Sequence, residues 1–338
     1  MKIKSLQFGK AMSAALFVLL LSVAGMKNAL AQTQVATLQH GDDISVFYGT
    51  NAFVEAHTAA VAGDIVTLSG GTFTPTTINK AITLRGAGCY RDSIAENYVT
   101  TIPGTVTLSI SNDSVFLTVE GIFFSGQLRY WSDNLQHPSF IRCNIQNFRQ
   151  YGSSSRITNA QFVNCMISEC YLAGFGNTFI NCVIDALKQS NVDGGSKIFY
   201  NSIIKMNMEI TNMSVYNCIV SGTFSNGNCV AFNSIGIKLS NYEVFGSNPQ
   251  FDCMTVTSYE DVFETYTGTF SYDESYILKE DIATGFLGND GREIGIHGGL
   301  MPYNSRPTYM ILNRCNVAGR STIDGKLSVD IEVITEDE

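Results

Sequence analysis

Arg129, Tyr130, Trp131 and Asp133 sit in one short segment that holds the only tryptophan of the chain. Aromatic faces beside cationic donors can stack on sugar rings and hydrogen-bond their hydroxyls. Arg149, Tyr151, Arg156 and Tyr171 follow downstream at spacings that would continue such a patch along a repeating fold. Arg129, Tyr130, Trp131, Asp133, Arg149 and Tyr151 are therefore the candidate ligand-binding residues. A competing reading buries Trp131 beneath its own loop, as large aromatics are mostly buried.

Other chemistries find fewer residues. Glycoside hydrolysis needs two carboxylates roughly 5–9.5 Å apart. Elimination needs a basic side chain and often a cation held by carboxylates. Neither set stands out. Glu120 and Arg142 are neighbours across one repeat and read as a surface ion pair. His40, His57, His137 and His297 show no metal-ligand spacing, and no C-x-x-C pair occurs among the nine cysteines. Gly86-Ala87-Gly88 is a turn rather than a phosphate loop. No catalytic residue, metal or cofactor is assigned. Loop acids such as Asp42, Asp43 and Asp290 could each help bind a cation, Ca²⁺ among them, but loop carboxylates without a ligand array are usually just solvated.

The elements that would position these residues repeat. Phe140-Ile141-Arg142-Cys143, Phe162-Val163-Asn164-Cys165, Phe179-Ile180-Asn181-Cys182, Phe199-Tyr200-Asn201-Ser202, Val215-Tyr216-Asn217-Cys218 and Ala231-Phe232-Asn233-Ser234 recur at intervals of 22, 17, 20, 16 and 16 residues. Such units are too short for two helices, and they are rich in strand-forming residues with Asn and Gly at the breaks. Each unit reads as one coil of a β-solenoid whose strands pair with the coils above and below. Asn164, Asn181, Asn201, Asn217 and Asn233 should stack at a left-handed corner and bond one another in a ladder. The Cys/Ser column beside them suggests small, buried, inert residues, with one disulfide inside the stack geometrically allowed.

The ends have their own signals. Lys2, Lys4 and Lys10, an apolar run from Ala14 to Val23, and Ala29-Leu30-Ala31 read as a signal peptide cleaved after Ala31. That predicts export to a periplasmic, cell-surface or extracellular location. No other run is long enough to span a bilayer. Asn51 to Ala62 reads as a capping helix with Phe53, Ala56, Ala60 and Val61 on one side, and His57 as a surface or packing residue. After Pro302, Pro307–Leu312 and Leu327–Val333 read as two strands. Residues 303–338 thus form a C-terminal strand appendage that covers the solenoid or pairs with a partner, leaving 32–302 as the capped β-helix.

The 338 residues carry a net charge of −9. The first 31 hold four Lys and no acid, so a chain starting at Gln32 has 17 basic and 30 acidic residues, a net of −13. That excludes a nucleic-acid binder, which needs a basic stripe. It also disfavours polyanionic ligands unless a local basic site offsets the field.

The segment Phe53–Gly88 resembles the opening coil of secreted proteins of the pectate-lyase-like superfamily. Asn248-Pro249-Gln250-Phe251, Tyr276-Ile277-Leu278 and the run from Gly288 to Gly299 resemble their last coil. The resemblance spans about residues 44–300. It implies an all-β, right-handed parallel β-helix, with polysaccharides or cell-envelope glycans as ligands. It leaves two functions: binding or scaffolding, or polysaccharide lyase or glycosidase activity. The acid pairs of the family's lyases have no matching positions, and Ile296-His297-Gly298 echoes a polygalacturonase motif only in part.

Overall fold

The computed structural model describes residues 34–338 except 91–98, 111–115, 132–134, 153, 190–194, 207–209, 226, 242, 273, 305–310, 318–328 and 335–338. The signal-peptide segment and Asp133 lie outside the described residues. The chain is an all-β, right-handed parallel β-helix built on two 12-stranded sheets. Each coil gives one strand to the first sheet, turns, and gives the next to the second. Ser139–Ile141 is followed by Asn144–Gln150, for example, and Gln161–Val163 by Met166–Leu172.

The repeat folds as its composition dictates. Phe140, Phe162, Phe179 and Phe199 point inward and stack at centroid spacings of 4.9, 4.6 and 4.7 Å. Cys143, Cys165, Cys182 and Cys218 are fully buried beside them. The thiol of Cys182 donates to the Ile180 carbonyl at 3.3 Å, and the Ser202 hydroxyl makes the same bond to Tyr200 at 2.8 Å. The column thus wants a small side chain that can donate two residues back. Cys89, Cys143, Cys165, Cys170, Cys182, Cys218, Cys229 and Cys253 are free thiols. Burial pushes the Cys143 and Cys165 thiols well above the ordinary range, so they are inert packing groups.

The Asn corner forms with φ of 52°, 49°, 47°, 55° and 44° at Asn164, Asn181, Asn201, Asn217 and Asn233. Asn tolerates this left-handed region because its short amide clashes little with the backbone. The amide ladder expected there does not form. Asn181 instead donates to the carbonyls of Ile296 and Gly298, both at 2.8 Å. Asn164 donates to Pro302, and Asn217 exchanges bonds with Asn289 at 3.0 Å each. Side-chain bonds between coils occur at a second corner, where Asn228 donates to Asn212 at 3.1 Å.

Those bonds expose a second correction. Residues 276–299 are not the last coil. The solenoid ends at Gln250–Phe251 and Met254–Val256. Residues 257–303 then return along its side as a strap. The reason lies one residue past the Cys/Ser column. Met166, Val183, Ile203, Ile219 and Ile235 face outward from the second sheet and need a cover. Tyr259, Val262, Phe263, Tyr276, Leu278, Ile282, Ile294 and Ile296 supply it as a second hydrophobic core. Gly298 is required where the strap turns against itself, because a Cβ there would meet the Glu293 carbonyl oxygen at 1.6 Å.

The N-terminal end is covered by a hairpin that the sequence reading missed, Val35–His40 antiparallel to Asp43–Tyr48, which pairs onto Ile65–Leu68. The helix Ala52–Ala59 caps the opening, burying Ala52, Phe53 and Ala56, with Ala60 buried just beyond it. Val61 is exposed, contrary to expectation, because the chain leaves helical geometry at Ala60. His57 is buried against Phe53. Burial, with Lys80 nearby, lowers its pKa to about 4. The unfolded chain therefore binds the proton first, and stability falls as pH drops below about 6.5 toward 4. Between pH 7 and 4.5 we expect His57 to account for a loss on the order of 2 kcal/mol. Urea titrations across that range should show a shallower pH slope for His57→Phe than for the native chain.

The C-terminal strands run Ile311–Val317 and Val329–Ile334, later than the sequence suggests, and pair antiparallel with each other. Among the described residues, no helix is long and apolar enough to cross a membrane.

Candidate functional site

Strand alternation decides which candidate residues share a face. In Phe123–Tyr130, Leu128 and Tyr130 point into the core, and Gln127 and Arg129 point out. Tyr130 is therefore not a ligand contact, which corrects its place in the candidate set. It is fully buried, its hydroxyl accepts from the Ala173 amide at 2.9 Å, and burial pushes its phenol pKa up. Arg156 is half-buried, and its Nη1 donates to the Ser155 carbonyl at 3.4 Å.

The other described candidates come together. Trp131 is 56% exposed and stands beside the Tyr151 ring at 4.7 Å. The Arg129 guanidinium lies 4.1 Å from the Tyr151 ring centre, and its Nε donates to Thr107 at 3.0 Å. Register pairs Arg129 with Arg149 on the next coil. Arg149 lies 4.9 Å from the ring centre of Tyr171.

The row continues beyond Tyr171 into Lys188, Glu169 and Asn147, which were not anticipated. Tyr171 pairs with Lys188, whose Nζ donates to the Tyr171 hydroxyl at 2.9 Å and to Glu169 at 3.1 Å. The Tyr171 hydroxyl and Glu169 raise the Lys188 pKa, so it stays charged. Asn147 donates to the other oxygen of Glu169 at 2.6 Å. A signal for these residues was present. Arg149, Tyr171 and Lys188 each fall six residues after Cys143, Cys165 and Cys182, and a constant offset from a repeated column puts residues at one position of successive coils.

The strap borders the row. The Tyr272 hydroxyl donates to Gln146 Oε1 at 3.2 Å, on the same strand as Arg149. Lys205 donates to Asp185 at 3.0 Å and to the Gly268 carbonyl. The strap thus covers the aliphatic column of the second sheet and also meets Phe123 and Lys205.

The acids on this face are held by cations: Glu169 by Lys188 and Asp185 by Lys205. Glu120 and Arg142 do pair, at 3.3 Å, but with both side chains 12% exposed, so the pair is largely buried rather than on the surface. Among the described residues, no three His, Cys, Asp or Glu side chains cluster as metal ligands. What the row offers is ring faces and edges, guanidinium donors and one amide–carboxylate pair, on strands or, for Trp131 and Tyr151, one residue past a strand end. Comparison with family models, curated proteins and solved structures returns no match for this chain.

Proposed function

We propose that the chain is an exported, surface-associated β-helix protein that binds or scaffolds glycans through the open half of its second sheet. The carrying observation is the continuous row Trp131, Tyr151, Arg129, Arg149 and Tyr171, spread over adjacent coils. Neighbouring strands lie about 4.8 Å apart, so the row presents ring and guanidinium contacts at regular steps to a polymer. Rings supply apolar area for sugar faces, and guanidinium groups supply donors for hydroxyls or carboxylates. The local cations also offset the acidic charge of the chain. Export rests on the N-terminal segment, and the pectate-lyase-like likeness on the coil pattern.

Lyase or glycosidase activity has less support at this face. Glu169 and Asp185 each carry a lysine partner.

The test is calorimetric titration with a panel of neutral and uronic-acid polysaccharides, with new chain ends assayed in parallel. At least one polymer should bind without being cut. Trp131→Ala should weaken that binding at least about tenfold, which corresponds to about 1.4 kcal/mol. New chain ends would replace binding with catalysis. No binding by any polymer, or an unchanged affinity for Trp131→Ala, would remove the proposal.

A further inference from the structure

The strand Asp43–Tyr48 is the terminal strand of the first sheet. It pairs on one side with Val35–His40, and no strand pairs with its other edge among the described residues. Alternation puts Ile44, Val46 and Tyr48 on one face, where they are 67, 45 and 67% exposed, while Phe47 packs against the core. Three large apolar side chains on an open sheet edge invite a further strand.

The charge around this edge has one sign. Residues 34–79 contain Asp42, Asp43, Glu55 and Asp64 and no Lys or Arg. The same chain carries a segment of opposite character. Residues 305–320 contain Arg306, Arg314 and Arg320 and no acid, and Ile311–Val317 within them is a strand of the C-terminal hairpin. The partner strand of that hairpin, Val329–Ile334, carries Asp330 and Glu332 instead. A lone two-stranded hairpin is marginal in water and gains from a third strand.

We infer that Ile311–Val317 of one copy adds to the Asp43–Tyr48 edge of a second copy, joining molecules head to tail. Chain length argues for a second copy over the same one. Pro302 is tied to the Asn164 corner. The Asp43–Tyr48 edge lies six strand positions from Gln161–Val163 along the first sheet, about 29 Å at 4.8 Å per strand. The nine steps from Pro302 to Ile311 reach only about 31 Å when fully extended. Little length remains to turn the hairpin onto the edge.

Because the two surfaces differ, the contact is heterologous and can propagate. Sedimentation equilibrium on the full chain tests it. The native chain should show an average mass that rises with concentration and falls toward one chain as salt is raised. Val46→Lys, an exposed position, and Arg314→Glu should each stay at the mass of one chain. Their equimolar mixture should give a one-to-one dimer, since one supplies an intact hairpin and the other an intact edge. Native chain that stays at one-chain mass at every concentration, a variant that still associates, or a mixture that stays monomeric would each overturn the inference.

Discussion

Asn181→Val is expected to destabilise the protein by about 4 kcal/mol. Two losses coincide there. The residue sits at φ 49°, a region that costs a side chain without Asn's freedom about 1–2 kcal/mol and is worse when it is β-branched. Its amide also satisfies the Ile296 and Gly298 carbonyls, both at 2.8 Å in the covered corner. Stranding such a group costs about 1–3 kcal/mol. Asn181→Gly separates the terms, because glycine accepts the backbone but cannot make the bonds. It should cost about half as much. Denaturant midpoints for the two variants check this. Equal losses would mean that the left-handed backbone contributes nothing, and no loss in Asn181→Gly would mean that the amide bonds to the strap contribute nothing.

Phe263→Ala is expected to cost about 3–5 kcal/mol, the range for removing a buried phenylalanine ring. The loss should be local. Phe263 is 1% exposed and belongs to the outer core between strap and second sheet, separate from the Phe140–Phe199 stack. Hydrogen exchange should therefore rise across residues 257–303 and along the outward side of the second sheet. Amides of the first sheet should keep their protection. Uniform loosening of both cores would show that strap and solenoid unfold as one unit.

The two variants also mark where the sequence was legible. Asn181 belongs to a column of Asn that repeats on five successive coils, so its left-handed corner could be read from one chain. Its partners could not, because Ile296 and Gly298 lie more than a hundred residues away in a segment with no repeat. The strap did leave a trace. Met166, Val183, Ile203, Ile219 and Ile235 each follow a small inward residue. A column of five outward aliphatics predicts a cover, but only once the parity across the corner is known. The left-handed Asn resets that parity, and the sequence does not display it.

The candidate site divides the same way. Arg129, Trp131, Arg149 and Tyr151 were legible as aromatic and cationic residues on consecutive coils. Tyr130 was misplaced because adjacency in a strand means opposite faces. Lys188 and Glu169 were missed because an isolated charge in a sequence has no visible partner. Register created theirs, by setting Tyr171 beside Lys188.

Trp131 makes the most direct test available, since it is the only tryptophan and stands half-exposed in the proposed site. Its fluorescence can be followed while the protein is titrated with neutral and uronic-acid polysaccharides. Glycan binding at this face predicts a saturable shift to shorter wavelength with at least one polymer, and its loss in Tyr151→Ala. A polymer that binds by calorimetry without changing Trp131 emission, or a panel in which nothing binds, would contradict it.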